Sequence, residues 1–223
     1  MILSRDELAR MIDSTNVKAT ATEKDIETLC AEAVEYGFGC VCVNSVYVNL
    51  AAKLLKESNV KVCSTIGFPF GSTLKEIKGL EAVRTVEKGA EELDMVINLS
   101  ALKSADYEMV KQDIATVVDA KRLSQHVIVK VIIETDYLTQ EEKVVASRIV
   151  KEAGADFVKT STGFFGNGAT VEDVRLIRQT VGSHFGVKAA GGIRTYYDAS
   201  SMIEAGANRI GTSTAVAIVK AVP

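Results

Sequence analysis

Four charged side chains lie inside segments that otherwise have the composition of buried β-strands. They are Asp94, Lys130, Lys159 and Lys188, and their sequence neighbours are mostly apolar or small. An unpaired charge is costly inside a protein, so each of them needs a charged partner or a polar cavity. These positions therefore predict a polar interior, which is either a catalytic centre or a structural network of ion pairs.

Alternation along a strand indicates the side on which each charge lies, because successive side chains point to opposite faces. Asp94 lies opposite the apolar Leu93 and Met95, which suit a layer packed against helices. Lys159 lies in the same way opposite Val158. We therefore expect the charged side chains to point away from the helix layer and into the centre of the sheet.

Lys159 and Lys188 belong to consecutive predicted strands, whose backbones lie about 4.8 Å apart when they pair. Burial and a neighbouring like charge both favour the neutral form of an amine, so the pKa of one of these lysines is expected to fall. A neutral amine attacks carbonyl carbons at neutral pH. The pair therefore predicts Schiff-base chemistry.

The chain has 223 residues and contains eight segments with strand composition, each followed by an amphipathic helical pattern. The predicted strands are 10–13, 39–43, 60–66, 92–97, 127–133, 156–160, 186–190 and 208–211. Units of about 28 residues suit a single (β/α)8 TIM barrel domain over residues 1–223. An open doubly wound sheet is the alternative, and it fits less well because no Gly-x-Gly-x-x-Gly opens the first helix.

Capping signals mark the predicted helix starts. They are Ser4-x-x-Glu7, which predicts a short extra N-terminal helix, and Thr73-x-x-Glu76, Thr139-x-x-Glu142, Thr170-x-x-Asp173 and Thr195-x-x-Asp198. Glycine can adopt the left-handed conformation that stops a helix. The predicted helix stops are Gly89-Ala90, Gly154-Ala155 and Gly206-Ala207.

The βα loops of such a barrel carry its functional groups, since active sites lie at the C-terminal ends of the strands. Glycine-rich turns follow three predicted strands and contain Gly163, Gly191, Gly192, Gly211 and Ser213. Backbone N–H groups at such turns bind anions, and the last two loops are the usual phosphate site of this fold. For Gly191-Gly192, the alternative to an anion site is an ordinary turn.

Both histidines, His126 and His184, precede their strands and should lie at the opposite end of the barrel. Histidine catalysis and a histidine-based metal site are therefore not expected. The four cysteines do not have the spacing of a disulfide framework. A zinc site would need further ligands nearby, and the sequence indicates none. We expect buried free thiols at Cys30, Cys40, Cys42 and Cys63, with a reactive Cys42 as the alternative.

The bulk composition argues against several partner classes. The formal net charge is −3 with both signs spread along the chain, which does not favour a nucleic-acid partner. The first residues lack the pattern of a signal peptide, and no apolar run reaches the length of a membrane span. We therefore expect a cytoplasmic protein with no membrane partner. We also expect a homo-oligomer, either a dimer or a tetramer, although composition does not indicate this.

The segments around the charged residues resemble the deoxyribose-phosphate aldolase family in the same order along nearly the whole chain. The two lysine segments are the most specific part of this resemblance. The matching segments are Ile12-Asp13, Glu92 to Val96, Val129 to Glu134, Lys159-Thr160-Ser161-Thr162-Gly163, Gly186 to Arg194 and Gly211-Thr212-Ser213.

The resemblance implies reversible cleavage of 2-deoxy-D-ribose 5-phosphate to D-glyceraldehyde 3-phosphate and acetaldehyde, with no cofactor and no metal ion. Lys159 would form the imine that accepts electrons as the carbon–carbon bond breaks. Lys188 would lower the pKa of Lys159 and join Asp94 in proton transfer. Lys130 would orient Asp94 from behind.

The resemblance also implies that Thr162 contacts a substrate hydroxyl. Phe164 stands, as in other members, where some family members have a lysine, which removes one possible phosphate contact. Two other functions stay open at this stage. One is a different enzyme on the same barrel, either another Schiff-base aldolase or a sugar-phosphate isomerase with Asp94 as its base. The other is a sugar-phosphate binder without catalytic activity.

Overall fold

The computed structural model describes residues 3–223, which form a closed barrel of eight parallel strands in sequence order. Each strand pairs with the next, and β1 also pairs with β8. The strands are β1 Ile12–Asn16, β2 Cys40–Val43, β3 Lys61–Ile66, β4 Glu92–Val96, β5 Ile128–Ile132, β6 Phe157–Lys159, β7 Gly186–Ala190 and β8 Arg209–Thr212. The predicted (β/α)8 barrel is confirmed, and the open sheet is wrong.

Helices surround the barrel, and the extra N-terminal helix predicted from Ser4 is present before β1. None of the helices in residues 3–223 has the length and apolar character needed to cross a membrane. The helices are α1 Arg5–Arg10, α2 Glu23–Tyr36, α3 Val48–Leu54, α4 Lys75–Glu87, α5 Leu99–Lys103, α6 Tyr107–Val118, α7 Gln140–Glu152, α8 Val171–Val181, α9 Tyr196–Glu204 and α10 Ala215–Lys220.

Most of the predicted helix starts are confirmed. Ser4, Thr139 and Thr195 form capping boxes, and the Thr170 side chain accepts a hydrogen bond from the Asp173 amide. The predicted stops are also confirmed, since Gly89, Gly154 and Gly206 all have positive φ.

Two predicted boundaries are wrong. The cap predicted at Thr73 does not form, because α4 begins at Lys75 after Leu74, which makes no side-chain cap. The preceding loop packs so closely on the barrel that a Cβ at Gly71 would lie 2.0 Å from the Ile97 carbonyl oxygen. Tertiary packing therefore sets the start of α4. The first strand was predicted at residues 10–13, but β1 spans Ile12–Asn16 because α1 continues through Arg10.

The apolar core lies between the barrel and the helices, as the alternation predicts. Leu93, Met95, Val158 and Val187 are all fully buried in it. The inner face of the barrel is different, because its thiols Cys40, Cys42 and Cys63 form a separate small cluster. The barrel interior is therefore left to polar and charged side chains.

A buried ion pair holds the backbone that follows β4. The Lys78 ammonium donates to the Val96 carbonyl oxygen at 2.9 Å and to the Asp113 carboxylate at 2.7 Å. The same carboxylate accepts from the Asn98 amide at 3.0 Å. Both side chains are essentially inaccessible to solvent. The pair therefore ties α4 and α6 to the end of the strand that carries Asp94.

The loop after β5 (residues 133–139, loop 5) holds the loop after β6 (residues 160–170, loop 6). Glu134 is fully buried at φ +54°, and its carboxylate accepts from the Thr162 amide at 3.1 Å. The Asp136 carboxylate accepts from the Asn167 and Gly168 amides at 2.8 and 3.0 Å. Left-handed backbone at a glutamate is strained, so this conformation depends on the contacts around it.

Removing one partner of the buried pair should destabilise the barrel strongly. Lys78→Met leaves the Asp113 charge buried without compensation, which costs about 3–5 kcal/mol in free energy of unfolding. Urea unfolding of the two proteins measures this difference. The double variant Lys78→Met/Asp113→Leu should recover much of the loss. Arg84→Met on the same helix removes only the exposed pair with Glu87 and should change little. Equal losses in the two single variants would contradict this account.

The stability contributed by Glu134 should depend on pH. Burial raises the pKa of Glu134 above its ordinary value of 4.5, although hydrogen bonds from Thr162 oppose the shift. The folded protein thus binds this proton more tightly than the unfolded chain. Its stabilising effect is present in acid and is lost as the pH rises through the raised pKa.

Glu134→Gln keeps an oxygen for the Thr162 amide but cannot ionise. Its Tm should match that of the parent protein in acid and exceed it at neutral pH, as measured by circular dichroism across a pH series. Glu35→Gln makes the same exchange at an exposed position on α2 and serves as the control. A Tm difference between Glu134→Gln and the parent that is constant with pH would refute the assignment.

Candidate functional site

The four predicted charges come together on the inner face of the barrel around one carboxylate. Lys130 donates to Oδ1 of Asp94 at 2.7 Å. Lys159 and Lys188 both donate to Oδ2 of Asp94, at 2.8 and 2.7 Å. Asp94 is fully buried. Alternation along the strands thus identified the correct faces, and β6 pairs with β7 so that Lys159 lies beside Lys188.

Three further charged residues complete this cluster, and the sequence analysis missed their part in it. Asp13 of β1 pairs with Lys188 and with Arg209 of β8, and Glu92 of β4 pairs with Lys130 at 2.7 Å. Alternation could have identified Glu92, which lies two residues before Asp94, and Arg209, which lies two residues before Gly211. Asp13 gave a weaker signal, because β1 is mostly polar.

The added carboxylates reverse one expectation about the lysine pair. Burial alone would lower the pKa of Lys188, but the charges of Asp13 and Asp94 outweigh it and raise that pKa above its ordinary value. The sequence predicted that the pKa of one of the two lysines falls, and Lys188 is not that lysine. An anion lies between the two amines, because Asp94 accepts a hydrogen bond from Lys159 and another from Lys188.

Asp94 remains ionised in this setting. Burial would raise the pKa of its carboxyl, but the ammonium groups of Lys130, Lys159 and Lys188 hold that pKa well below its usual range. The carboxylate therefore acts as a fixed negative charge between three ammonium groups. A group of this kind can orient amines and stabilise a positive charge placed beside it.

The thiols lie closer to possible metal ligands than the sequence suggested. All four cysteines are free and buried, as predicted. Cys42, Cys63 and Asp94 have ligand atoms within 4.8 Å of one another, so the expectation of no nearby ligands is wrong. Three ammonium groups already occupy the Asp94 oxygens, however, and would repel a metal cation. The cluster is therefore poorly suited to hold a metal ion.

A cavity of about 690 Å³ opens at the C-terminal ends of the strands. Of the three inner lysines, Lys159 alone lines it, whereas Asp94, Lys130 and Lys188 lie below its floor. The cavity also contacts every residue predicted to bind substrate, namely Thr162, Gly163, Gly191, Gly192, Gly211 and Ser213. One amine thus connects the buried charges to the open cavity.

Glycine is required where loop 6 meets the loop after β7 (residues 191–195, loop 7). Gly191 and Gly192 have φ values of +90° and +75°. A Cβ at Gly168 would lie 2.4 Å from the carbonyl carbon of Gly191. Within residues 3–223, the amides of Gly163, Gly192 and Ser213 donate no hydrogen bond to the protein. These amides can therefore bind an anion.

The histidines lie at the opposite end of the barrel, as predicted. His126 precedes β5. His184 lines a separate hollow with Phe185 and Asn208, next to the start of β7. Neither contacts the cavity that contains Lys159.

Comparisons with known proteins agree with this geometry. A sequence profile described as DeoC/LacD family aldolase matches residues 7–221. A deoxyribose-phosphate aldolase of Thermococcus kodakarensis is 61% identical over 223 residues, with 99% of each chain covered. The deoxyribose-phosphate aldolase of Thermoanaerobacter sp. (strain X514) is 59% identical over 213 residues, with 96% of each chain covered.

Solved structures give the same result. A putative deoxyribose-phosphate aldolase from Coccidioides immitis superposes with a TM-score of 0.94 at 43% identity, covering 99% of this chain and 87% of that one. The deoxyribose phosphate aldolase of Aeropyrum pernix, described as a unique tetrameric structure, superposes with a TM-score of 0.90 at 39% identity, covering 97% and 91%. This chain therefore belongs to the DeoC/LacD family of aldolases, carbon–carbon lyases, and within it to the deoxyribose-phosphate aldolases.

Proposed function

We propose that this chain reversibly cleaves 2-deoxy-D-ribose 5-phosphate to D-glyceraldehyde 3-phosphate and acetaldehyde through a Schiff base on Lys159. The observation that carries this proposal is the position of Lys159, which lines the cavity while its ammonium group contacts Asp94. The other two inner lysines have no exposed side-chain surface. A substrate carbonyl in the cavity can therefore reach one inner amine only.

The proposed nucleophile is the accessible member of the charged cluster. The cluster joins four cations and three carboxylates, and the Cys63 sulfur lies 3.3 Å from the Lys130 ammonium. Arginine stays protonated, and Lys130 and Lys188 are sealed from solvent. Lys159 is the member that can exchange a proton with the cavity. The cations are Lys130, Lys159, Lys188 and Arg209, and the carboxylates are Asp13, Glu92 and Asp94.

The neutral Lys159 amine attacks the aldehyde carbon of the open-chain sugar, and loss of water gives a protonated imine. Removal of the proton from the substrate 3-hydroxyl breaks the adjacent carbon–carbon bond, and the electron pair moves into the imine. D-glyceraldehyde 3-phosphate leaves. The remaining enamine takes up a proton and is hydrolysed to acetaldehyde and the free amine.

The surrounding residues support this sequence of steps. Asp94 and Lys188 form the pair that relays protons near the imine, since both lie within hydrogen-bond distance of one another. Lys130 orients Asp94 from its other oxygen. Free amides at Gly163, Gly192 and Ser213 suit the substrate phosphate. Thr162, which lines the cavity, can reach a substrate hydroxyl.

A sugar-phosphate isomerase with Asp94 as base has less support. Asp94 does not line the cavity, so it cannot take a proton directly from a substrate there. Another Schiff-base aldolase would use the same amine and would differ in the aldehyde that it releases.

We also propose that the chain forms a homo-oligomer, either a dimer or a tetramer. The tetrameric A. pernix structure supports this proposal. The cytoplasmic location expected from the sequence stays a prediction.

Reductive trapping should label Lys159. Treatment with acetaldehyde and borohydride reduces an imine to a stable secondary amine, so peptide mass spectrometry should find one ethyl group on Lys159. Lys159→Arg should lose this adduct and lower kcat for the sugar phosphate by roughly a thousandfold or more, because the nucleophile is gone.

Exchange of an exposed lysine, Lys53→Arg, provides the matched control and should leave trapping and kcat unchanged. An adduct on Lys188 or Lys130 in the parent protein would overturn the assignment of the nucleophile. Release of an aldehyde other than acetaldehyde would leave the Schiff base in place but would contradict the proposed substrate.

A further inference from the structure

The Thr65 side chain lies where the buried charges meet the substrate cavity. Thr65 belongs to β3, and its Cα pairs with that of Asp94 on β4. Because side chains alternate along a strand, Thr65 shares the inner face of β3 with Cys63, whose sulfur lies 3.2 Å from the Asp94 carboxylate. Thr65 also lines the cavity, and only 4% of its surface is exposed. Its hydroxyl is therefore a polar group at the floor of the cavity beside Asp94.

The hydroxyl of Thr65 has no partner in the protein. Within residues 3–223 its Oγ1 takes part in no hydrogen bond, and the carbonyl oxygen of Thr65 is the atom that neighbouring groups use. The two other buried threonines of the cavity differ in this respect. Thr162 Oγ1 accepts from the Phe164 amide at 3.1 Å, and the Thr212 hydroxyl donates to the Ile193 carbonyl oxygen at 2.7 Å. Buried polar groups normally have a partner, so the Thr65 hydroxyl is suited to bind one from the cavity.

Apolar side chains close the direct route from Asp94 to the cavity. Val96 and Ile132 follow Asp94 and Lys130 by two residues on the same strands, so they share the inner face one layer above them. Both are fully buried, and neither lines the cavity. A Cβ at Gly71 would lie 2.9 Å from the Val96 side chain, which shows how closely the loop after β3 packs on it. Proton transfer between Asp94 and the cavity must therefore pass beside Val96.

Two side chains on the neighbouring strands line the cavity at this side. One is Cys42 of β2, whose sulfur lies 3.8 Å from Oδ2 of Asp94. The other is Thr65 of β3. A thiol is a weak donor and a weak acceptor, whereas a hydroxyl donates one hydrogen bond and accepts two. Thr65 is therefore the better group to hold a molecule that carries protons.

We propose that Thr65 is a positioning residue for proton transfer, and that its hydroxyl holds a water molecule between the substrate and Asp94. This inference rests on the proposed function, because the proton is transferred to an enamine on Lys159. The proton leaves the substrate 3-hydroxyl as the carbon–carbon bond breaks and the electron pair moves into the imine. In the next step the enamine carbon takes up a proton through this water and becomes the methyl carbon of acetaldehyde. One proton is released and one is taken up, so these steps need no other acid or base.

The test follows proton transfer on acetaldehyde alone, which has neither a 3-hydroxyl nor a phosphate. In D2O the parent protein should replace the methyl protons of acetaldehyde by deuterium faster than buffer does, as measured by proton NMR. Thr65→Val replaces the hydroxyl by a methyl group and should slow this reaction roughly ten- to a hundredfold, because the water is no longer held in place. Borohydride trapping of the Lys159 imine at saturating acetaldehyde should be unchanged.

Two further variants serve as controls. Thr65→Ser keeps the hydroxyl and should retain most of the deuteration rate. Thr73→Val makes the same substitution as Thr65→Val at an exposed position in the loop after β3, and it should change neither deuteration nor trapping. With the sugar phosphate, Thr65→Val should lower kcat and change KM much less.

Other outcomes overturn the role of Thr65 or the proposed function separately. Unchanged deuteration in Thr65→Val, together with a raised KM for the sugar phosphate, would assign the hydroxyl to substrate binding. Equal slowing in Thr65→Ser and Thr65→Val would show that the hydroxyl is not the group responsible. Either result would reject the inference while the Lys159 adduct upholds the Schiff base. A parent protein that gives no adduct and no deuteration would reject the proposed function, and the role of Thr65 with it.

Discussion

The Asp94 carboxylate accepts hydrogen bonds from three lysines inside a closed sheet, and the arrangement of the barrel interior depends on that contact. Three buried ammonium groups would be unfavourable without a shared anion. Asp13 and Glu92 extend the compensation, and Arg209 links them at the lower side of the cluster. Closure of β1 onto β8 is what brings Asp13 to Lys188, residues 175 positions apart in the chain.

The three lysines of this cluster differ in their access to solvent. Lys130 and Lys188 have no exposed surface, whereas Lys159 retains 5% of its side-chain surface on the cavity. Small thiols on β2 and β3 lie beside Asp94, and the loop after β3 (residues 67–74) packs against the residues at the end of β4. Accessibility therefore distinguishes the proposed nucleophile, Lys159, from Lys130 and Lys188, since all three contact the same carboxylate.

Local pattern predicted most of the fold and the centre of the site. Alternation gave the inward direction of Asp94 and Lys159, and helix-stop glycines marked the repeated units. The pattern failed where long-range contacts decide the outcome. Asp13 lies in β1, a mostly polar strand that is held by pairing with β2 and β8. Its sequence has no alternation of apolar and polar residues that would indicate an inward direction for Asp13. The direction of the Lys188 pKa shift depends on Asp13, and therefore could not be inferred from the two lysine segments alone.

The cluster also favours a particular state of the proposed intermediate. A protonated imine on Lys159 carries the same positive charge as the ammonium group that it replaces. Asp94 lies 2.8 Å from that nitrogen, so the carboxylate stabilises the iminium without moving. In the proposed mechanism the iminium nitrogen therefore keeps the contact with Asp94 that the ammonium group made. Lys130 and Lys188 each donate to the Asp94 carboxylate and fix its orientation. An anion fixed in this way would stabilise the proposed iminium, which accepts the electron pair when the carbon–carbon bond breaks.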